Sequence, residues 1–210
     1  LGDVYKRQGF DLNSEIVGGG FRINNATNVI IRKLTFRDAY VDWEGKTTDN
    51  DAIEINNSQH IWINRCDFSH FDDGLIDIKN GSDLITVSWC RFHNHNKVML
   101  IGVDDNHTQD QGRNRVTVHH CWFDGRHGNG IGQRLPRVRF GKVHVFNNFY
   151  QDVSISGVMV GYDGDTLLDA VANYNSLLET INQKSAKSDS NSLSLYLSKL
   201  LWNSGTKKPA

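Results

Sequence analysis

A short strand-like segment recurs five times in this sequence, and this repeat limits the possible folds more than any other feature. Each copy has alternating apolar residues, then a small or polar position, then an aromatic residue. The copies are VIIRKLTF (29–36), IWINRCDF (61–68), ITVSWCRF (85–92), VTVHHCWF (116–123) and VHVFNNFY (143–150). Equivalent positions are separated by 32, 24, 31 and 27 residues. Matching positions within an irregular period indicate one structural unit that is repeated along the chain.

Further β-like segments lie between the copies and predict several strands in every period. They are AIEI (52–55), GLIDIK (74–79), KVMLIG (97–102) and GVMVG (157–161). Helical crossovers, which need about a dozen extra residues each, do not fit between them. The sequence therefore predicts an all-β fold, a right-handed single-stranded parallel β-helix, whose coils stack about 4.8 Å apart. An antiparallel sandwich would also have short strands, but it would not place the same residue type at the same point of successive repeats.

Stacked coils would arrange equivalent side chains in internal columns. Cys66, Cys90 and Cys121 occupy one repeat position and are predicted to form a buried column of small hydrophobic groups. Their spacing fits neither a disulfide framework nor a zinc site. A second predicted column contains the closing aromatic residues, which are Phe36, Phe68, Phe92, Phe123 and Tyr150.

The repeat does not extend over the whole chain. We expect a β-helix core over 9–164, followed over 165–210 by a degenerate last coil and a loosely ordered or divergent tail. Residues 1–8 have no initiator Met and match no pattern downstream, so we interpret them as an artefact or a non-native leader. The expected solenoid is thus truncated at its N-terminus, and a secretion signal would be lost with the true start.

The charge balance limits the possible partners. The 210 residues carry a formal net charge of −1, with acidic and basic residues interspersed. This balance favours neither nucleic acid nor an anionic membrane as a partner. No apolar run is long enough for a membrane span. Any affinity for a charged substrate must therefore come from local clusters.

Two acidic clusters lie beside successive β-like segments. Asp49 and Asp51 precede AIEI, and DDGLIDIK contains Asp73 and Asp77. Side chains two or four residues apart share one face of a strand, so stacked coils would bring Asp51 beside Asp73 and Asp77. Such carboxylates repel one another unless a cation is present, and oxygen-only ligands favour calcium or magnesium over zinc. Solvated turn residues are the alternative interpretation.

A basic cluster follows farther along the chain. Arg134, Arg137 and Arg139 lie in QRLPRVRFG, and Lys97 lies in HNHNKVMLIG. Pro136, one of only two prolines, restricts the backbone between Arg134 and Arg139. We interpret these cations as groups that bind the carboxylates of a polyanionic substrate. Salt bridges to the acidic clusters are the alternative.

Several of these segments resemble the signature blocks of the pectate lyase superfamily, polysaccharide lyase family 1. The blocks are GGGFRINNATNVIIRKLTF, IWINRCDFS, DGLIDIKNGSDLITVSWCRF, HNHNKVMLIG and QRLPRVRFGKVHVFNNFY. They occur in the family order between about Val17 and Gly161. The family's WIDH motif is not intact, because Asn64 and Arg65 replace its acid and histidine.

The resemblance implies roles for individual residues. It places Asp51, Asp73 and Asp77 on the primary calcium ligands and Asp49 on an accessory ligand. It also implies that Lys97 binds substrate, that Arg134 is the catalytic base and that Arg139 is the second arginine of the family's RxPxxR motif. Arg137 is added as a substrate-binding residue from the basic cluster.

The implied function is a secreted, monomeric, calcium-dependent pectate lyase. It would cleave de-esterified homogalacturonan by anti β-elimination and release oligogalacturonides that are unsaturated between C4 and C5. A pectin lyase would share the fold but act on methylated substrate without calcium. A β-helical polygalacturonase would use paired carboxylates and water. A carbohydrate-binding or inactive β-helix fragment is the non-enzyme alternative.

Overall fold

The computed structural model describes residues 5–10, 14–39, 49–128 and 130–153, and beyond them the strand residues 159–160, 165–169 and 172–173. The strands are β1 (Tyr5–Gln8), β2 (Glu15–Val17), β3 (Phe21–Asn24), β4 (Thr27–Arg32), β5 (Thr35–Arg37), β6 (Ile53–Asn56), β7 (Gln59–Asn64), β8 (Asp67–Phe68), β9 (Ile76–Lys79), β10 (Asp83–Ser88), β11 (Arg91–His93), β12 (Met99–Ile101), β13 (Arg115–His119), β14 (Trp122–Asp124), β15 (Arg137–Val138), β16 (Lys142–Phe146), β17 (Phe149–Gln151), β18 (Met159–Val160), β19 (Asp165–Asp169) and β20 (Ala172–Asn173). A short 3₁₀ helix covers Thr108–Asp110.

The strands form three parallel sheets. Sheet I has the order β1-β4-β7-β10-β13-β16-β19, sheet II the order β2-β5-β8-β11-β14-β17-β20, and sheet III the order β18-β15-β12-β9-β6-β3. Each coil contributes one strand to sheet III, then one to sheet I, then one to sheet II. Every strand pair among the described residues is parallel. The predicted parallel β-helix is confirmed, and the antiparallel sandwich is excluded.

Columns of identical residue types fill the interior of the coils. The aromatic rings stack, with centroids 5.1 Å apart for Phe36 and Phe68 and 5.3 Å apart for Phe68 and Phe92. The column continues to Phe123 and Tyr150. The three cysteines are buried and free, as predicted. Burial of this continuous apolar column stabilises the solenoid, because no coil alone could cover its inward face.

Asparagine side chains join the coils at the corner between sheets III and I. Asn80 Nδ2 donates to Asn56 Oδ1 at 2.6 Å, and Asn56 Nδ2 donates to Asn24 Oδ1 at 3.1 Å. Asn57 and Asn25 make a parallel pair at 2.7 Å, and both have positive φ. Asparagine tolerates this left-handed backbone better than most residues, which explains its use where the chain turns sharply.

The two ends of the described structure differ in part from the expectation. Tyr5–Gln8 pair in parallel with β4, although residues 1–8 were expected to match no pattern downstream. This pairing uses backbone groups, so the polar sequence YKRQ gave no signal for it. Beyond residue 164, β19 pairs with β16 and β20 pairs with β17. The predicted tail beyond residue 173 and the first four residues lie outside the described residues, and the three-part division of the chain stays a prediction.

Among the described residues, no helix has the length and apolar character that a membrane span requires.

Candidate active site

Four predicted site residues lie where the chain enters successive strands of sheet III. Asp51 precedes β6, Asp73 precedes β9, Lys97 precedes β12 and Arg134 precedes β15. Backbone hydrogen bonds hold these entry points in line. Asp73 N donates to the Asn50 carbonyl at 3.4 Å, Leu75 N to the Lys97 carbonyl at 3.2 Å, and Met99 N to the Arg134 carbonyl at 2.7 Å. The stacking of coils therefore brings residues that are far apart in sequence together at one edge of sheet III.

Three carboxylates meet at this edge of the sheet. One oxygen from each of Asp51, Asp73 and Asp77 lies within 4.8 Å of the others. The side chains of Asp51 and Asp77 are 3% and 2% exposed, whereas that of Asp73 is 21% exposed. Gly74 N donates to Asp51 Oδ1 at 2.8 Å. Asp77 Oδ1 is buried and has no hydrogen-bond partner among the residues that the structure describes.

This crowding disfavours full ionisation of the trio. Burial, followed by the negative charge of Asp51, raises the pKa of Asp77 to about 7. Burial likewise raises the pKa of Asp51, against the opposing effect of Lys79. Asp73 behaves differently: burial opposes ionisation, but the hydrogen bond from Lys97 and the charge of Arg134 together lower its pKa. The two buried carboxylates thus lack sufficient positive charge from the protein itself.

Arg134 and Lys97 face the carboxylates from the next two coils. Lys97 Nζ donates to Asp73 Oδ1. Arg134 Nη2 lies 3.8 Å from Asp73 Oδ1, and Arg134 Nη1 lies 3.7 Å from Asp77 Oδ1. Within the described part of the chain, neither Nε nor Nη1 of Arg134 has a hydrogen-bond partner. The Arg134 backbone has a φ of +61°, an uncommon conformation for arginine that aims its side chain at this site.

Lys79 is a site residue that the sequence interpretation missed. Its Nζ lies 3.5 Å from both Asp51 Oδ2 and Asp77 Oδ2 and 3.2 Å from Glu54 Oε1. Burial opposes the charge of Lys79, but the three carboxylates raise its pKa. Lys79 is two residues after Asp77 in one strand, so the alternation of DIK already placed both side chains on one face.

His95 fixes the turn that carries Asp73. Its Nε2 lies 2.7 Å from the Asp73 carbonyl, and Phe71 N donates to its Nδ1 at 3.4 Å. Because Nδ1 accepts from a backbone amide, Nε2 carries the proton and donates to the carbonyl. Burial lowers the pKa of His95, which favours the neutral ring that this pattern needs.

The remaining predicted residues lie farther from the trio. Arg137 pairs with Leu100, and Leu100 pairs with Asp77, so Arg137 shares the outer face of sheet III with Asp77, two strands away. Arg139 Nε donates to Asp105 Oδ1 at 2.6 Å, and its Nη1 donates to the Val103 carbonyl at 3.2 Å. Asp49 is exposed and does not belong to the cluster of three carboxylates.

The trio fits a hard divalent cation. Its donors are carboxylate oxygens only, two of them are deeply buried, and Asp77 Oδ1 is unsatisfied. The backbone also leaves room: a Cβ on Gly74 would lie 2.5 Å from Asp77 Oδ1 and 2.8 Å from Asp51 Oδ1. A cation held by three carboxylates would satisfy the oxygen and relieve their repulsion.

The coil stack and this acidic, cation-bordered edge define a parallel β-helix with a candidate metal site, and comparison identifies the family. A family model for pectate lyase matches residues 6–195. The chain is 46% identical over 157 residues to the pectate trisaccharide-lyase of Thermotoga maritima, covering 73% of this chain and 40% of that protein. It is 37% identical over 170 residues to a pectate lyase of Bacillus subtilis, covering 68% and 39% of the two chains. The chain belongs to the pectate lyase family.

A solved structure gives the same result. A pectate lyase bound to a hexasaccharide superposes with a TM-score of 0.67 at 31% identity, covering 80% of this chain and 50% of that one. The chain spans about two-fifths of the length of the curated relatives named above.

Proposed function

We propose that the site cleaves pectate, the de-esterified form of homogalacturonan, by calcium-assisted anti β-elimination. The observation that carries this proposal is the Arg134 guanidinium, which lies 3.7 Å from Asp77 and 3.8 Å from Asp73 with two nitrogens lacking hydrogen-bond partners. A cation bound to the acidic cluster would also bind the carboxylate of a uronate unit. The Arg134 side chain, which lies beside the cluster, would then be close to that unit. Asp51, Asp73 and Asp77 would hold the cation, with Asp49 as an accessory ligand from the preceding turn.

The surrounding cations would orient the polymer. Lys97 is 37% exposed and Arg139 is 12% exposed, and each already contacts a carboxylate of the protein. Substrate carboxylates would share or replace these contacts, since charge-assisted hydrogen bonds to guanidinium and ammonium groups are strong and directional. Arg137 lies on the same face of sheet III and would contact a neighbouring sugar unit.

Arg134 would act as the base in the elimination. It would remove the proton from C5, the C4–O bond would break as the C4–C5 double bond forms, and the departing oxygen would take a proton from water. Bound Ca²⁺ would supply positive charge at the substrate carboxylate and so stabilise the negative charge that develops beside C5. A base must be neutral to accept the C5 proton, so we expect the rate of elimination to rise in an alkaline medium.

The decisive experiment measures the ultraviolet absorbance of unsaturated products from polygalacturonate, with Ca²⁺ and then with excess EGTA. The wild-type chain should form product only with Ca²⁺, and Arg134→Ala should reduce the rate by about 10²- to 10⁴-fold, the usual contribution of a general base. Arg113→Ala, which removes an exposed arginine outside the site, is the matched control. Activity that persists in EGTA would contradict the metal assignment.

Product identity separates the alternatives. Saturated products would indicate a polygalacturonase, and calcium-independent cleavage of methylated pectin would indicate a pectin lyase. Binding of polygalacturonate without cleavage would indicate an inactive carbohydrate-binding β-helix. We further infer action outside the cell, where pectate is found, and a monomer; gel filtration that gives a dimer would contradict the latter.

A further inference from the structure

A second surface lies at the corner between sheets I and II. We call it the corner strip and define it as Lys33, Arg65, Trp89 and His120. These residues occupy the same corner on four successive coils, with φ values of 54°, 52°, 56° and 53°. The amides of Lys33, Arg65 and Trp89 each donate to the carbonyl preceding the next corner residue, at 3.0–3.1 Å. The four corners therefore have nearly the same backbone conformation. Their side chains form a row with a spacing of about 4.8 Å, the distance between stacked coils.

The strip contains an exposed aromatic platform. Trp89 is 54% exposed, the most of any tryptophan for which the structure describes burial. One face of its indole stacks on His120, with ring centroids 4.5 Å apart and an angle of 21°. His120 in turn meets His119 edge to face. One face of the indole is thus covered by His120, and its other face is directed toward the coil that contains Arg65.

The strip also contains two cations, Lys33 and Arg65. Lys33 and Arg65 are exposed, and neither forms an ion pair with any residue that the structure describes. Other outer arginines behave differently: Arg37 contacts Glu15 and Asp38, and Arg115 contacts Asp83. Two cations that form no ion pair among the described residues thus lie beside an exposed indole.

This chemistry matches one class of ligand. A pyranose ring presents a C–H face that packs on an aromatic ring, and its carboxylate would bind Arg65 or Lys33 on the adjacent coils. A polymer of such units could follow the row, because both the polymer and the coil stack repeat at regular short intervals. One of the two cations is present because the family's WIDH motif is altered here: Arg65 replaces the histidine at the last position of the motif.

The corner strip is separate from the candidate active site. Asp51, Asp73 and Arg134 lie where the chain enters sheet III, whereas the strip lies where it leaves sheet I for sheet II. A complete strand of sheet II follows each strip residue before the chain returns to sheet III. One polymer bound at the strip therefore leaves the catalytic edge open.

We propose that the corner strip is a second binding site for an acidic polysaccharide, which retains the polymer while the edge of sheet III acts on it. The choice of polygalacturonate as ligand rests on the proposed function. Retention at a second site raises the local concentration of polymer near the first, so the strip would matter for long chains and not for short ones.

The test measures retardation in native gels that contain polygalacturonate, using Arg134→Ala chains so that the polymer is not cut. We expect the double variant Arg65→Gln/Trp89→Ala to weaken retention about 10-fold and each single variant to weaken it about 3-fold. Trp89→Tyr, which keeps a ring, should retain most of the binding. Lys142→Ala, an exposed lysine on sheet I outside the strip, is the matched control. Equal unfolding midpoints would establish that every variant folds.

Two further measurements complete the test. With Arg134 restored, the double variant should lower kcat/KM on polygalacturonate but leave it unchanged on trigalacturonate. Unchanged gel retention, equal losses on polymer and trimer, or equal retention by fully methyl-esterified pectin would each overturn the proposal. If the wild-type chain has no lyase activity but its retention still depends on Arg65 and Trp89, the proposed function fails and the binding site stands.

Discussion

Two buried acidic groups of this protein have opposite environments. Asp124, on sheet II, is fully buried and accepts hydrogen bonds from Arg91 Nη2 at 2.7 Å and from Arg126 Nε at 2.7 Å. Both guanidinium groups also lie over the Trp122 ring, at 4.7 and 4.8 Å. Asp77, on sheet III, is nearly as buried, but its Oδ1 has no hydrogen-bond partner and its neighbours include two more acids.

The difference indicates a structural role for Asp124 and supports the metal-binding role proposed for Asp77. Burial opposes ionisation of both, but hydrogen bonds from Arg126 and Arg91 hold the pKa of Asp124 well below its usual range. At Asp77 burial and Asp51 instead raise the pKa to about 7. A satisfied ion pair contributes to the fold, whereas a buried carboxylate with a raised pKa destabilises it and is a candidate for binding a cation.

The largest effect should follow from Asp77→Asn. Removing one of three carboxylates should lower lyase activity by more than about 100-fold, since even residues that only support metal ligands contribute 10- to 100-fold. Without calcium, stability should be unchanged or higher, because a buried carboxylate that is repelled by Asp51 is removed. Activity assays and urea unfolding in EGTA measure the two. A marked loss of stability in EGTA would show that Asp77 is structural.

The converse change is Asp124→Asn. It removes the buried carboxylate that Arg91 and Arg126 share and should lower the free energy of unfolding by about 3 kcal/mol, as expected for breaking a buried ion pair. Asp67→Asn is the control, because Asp67 is 32% exposed and an exposed pair contributes at most about 1 kcal/mol. Urea unfolding at neutral pH compares them. An equal loss of unfolding free energy in the two variants would contradict the structural role of Asp124.

The contributions of Asp124 and Asp77 to the free energy of unfolding should change with pH in opposite directions. The lowered pKa of Asp124 contributes stability above the ordinary carboxyl pKa of about 4, and this contribution is lost as the pH falls. The raised pKa of Asp77 gives stability that is fully present below about pH 4 and is lost as the pH rises through about 7.

Unfolding curves in EGTA across this range check both signs. The deficit of Asp124→Asn relative to wild type should shrink in acid, and the advantage of Asp77→Asn should grow from pH 5 to pH 8. A pH-independent difference for either variant would contradict the corresponding assignment.

The smallest effect should come from Gly74→Ala. The added Cβ would lie 2.5 Å from Asp77 Oδ1 and 2.8 Å from Asp51 Oδ1, so the carboxylates must move apart. We expect calcium affinity to fall about 10-fold, in the range seen when support of metal ligands is lost. Gly19→Ala is the control, because its Cβ would meet nothing within 4 Å. Calcium titration calorimetry compares them, and equal affinities would mean that the trio does not bind the ion.

The fold could be predicted largely because inward residues repeat. The positions of Phe36, Phe68 and Phe92 alone indicated stacked coils, and their rings do stack. Tyr5–Gln8 could not be predicted as a strand, because their pairing with β4 depends on backbone groups that any sequence has.

Site residues could be predicted from the sequence only where a residue of suitable chemistry stands in or just before a predicted strand. Acidic residues at strand entries indicated Asp51, Asp73 and Asp77, and the structure brings these three together. The contact of Arg139 with Asp105 was not predictable, because it depends on how the 102–114 excursion folds back.

The uniform stacking of the interior has a consequence for how such chains can lengthen. The described coils present the same kinds of inward groups on their upper and lower edges, so a duplicated coil would find matching neighbours on both sides. A duplication before Asp51 or after Arg139 would leave the candidate active site intact, whereas one between them would move Arg134 away from the carboxylates by a further strand spacing. Gene duplication is therefore compatible with the candidate site on either side of it, but not within it.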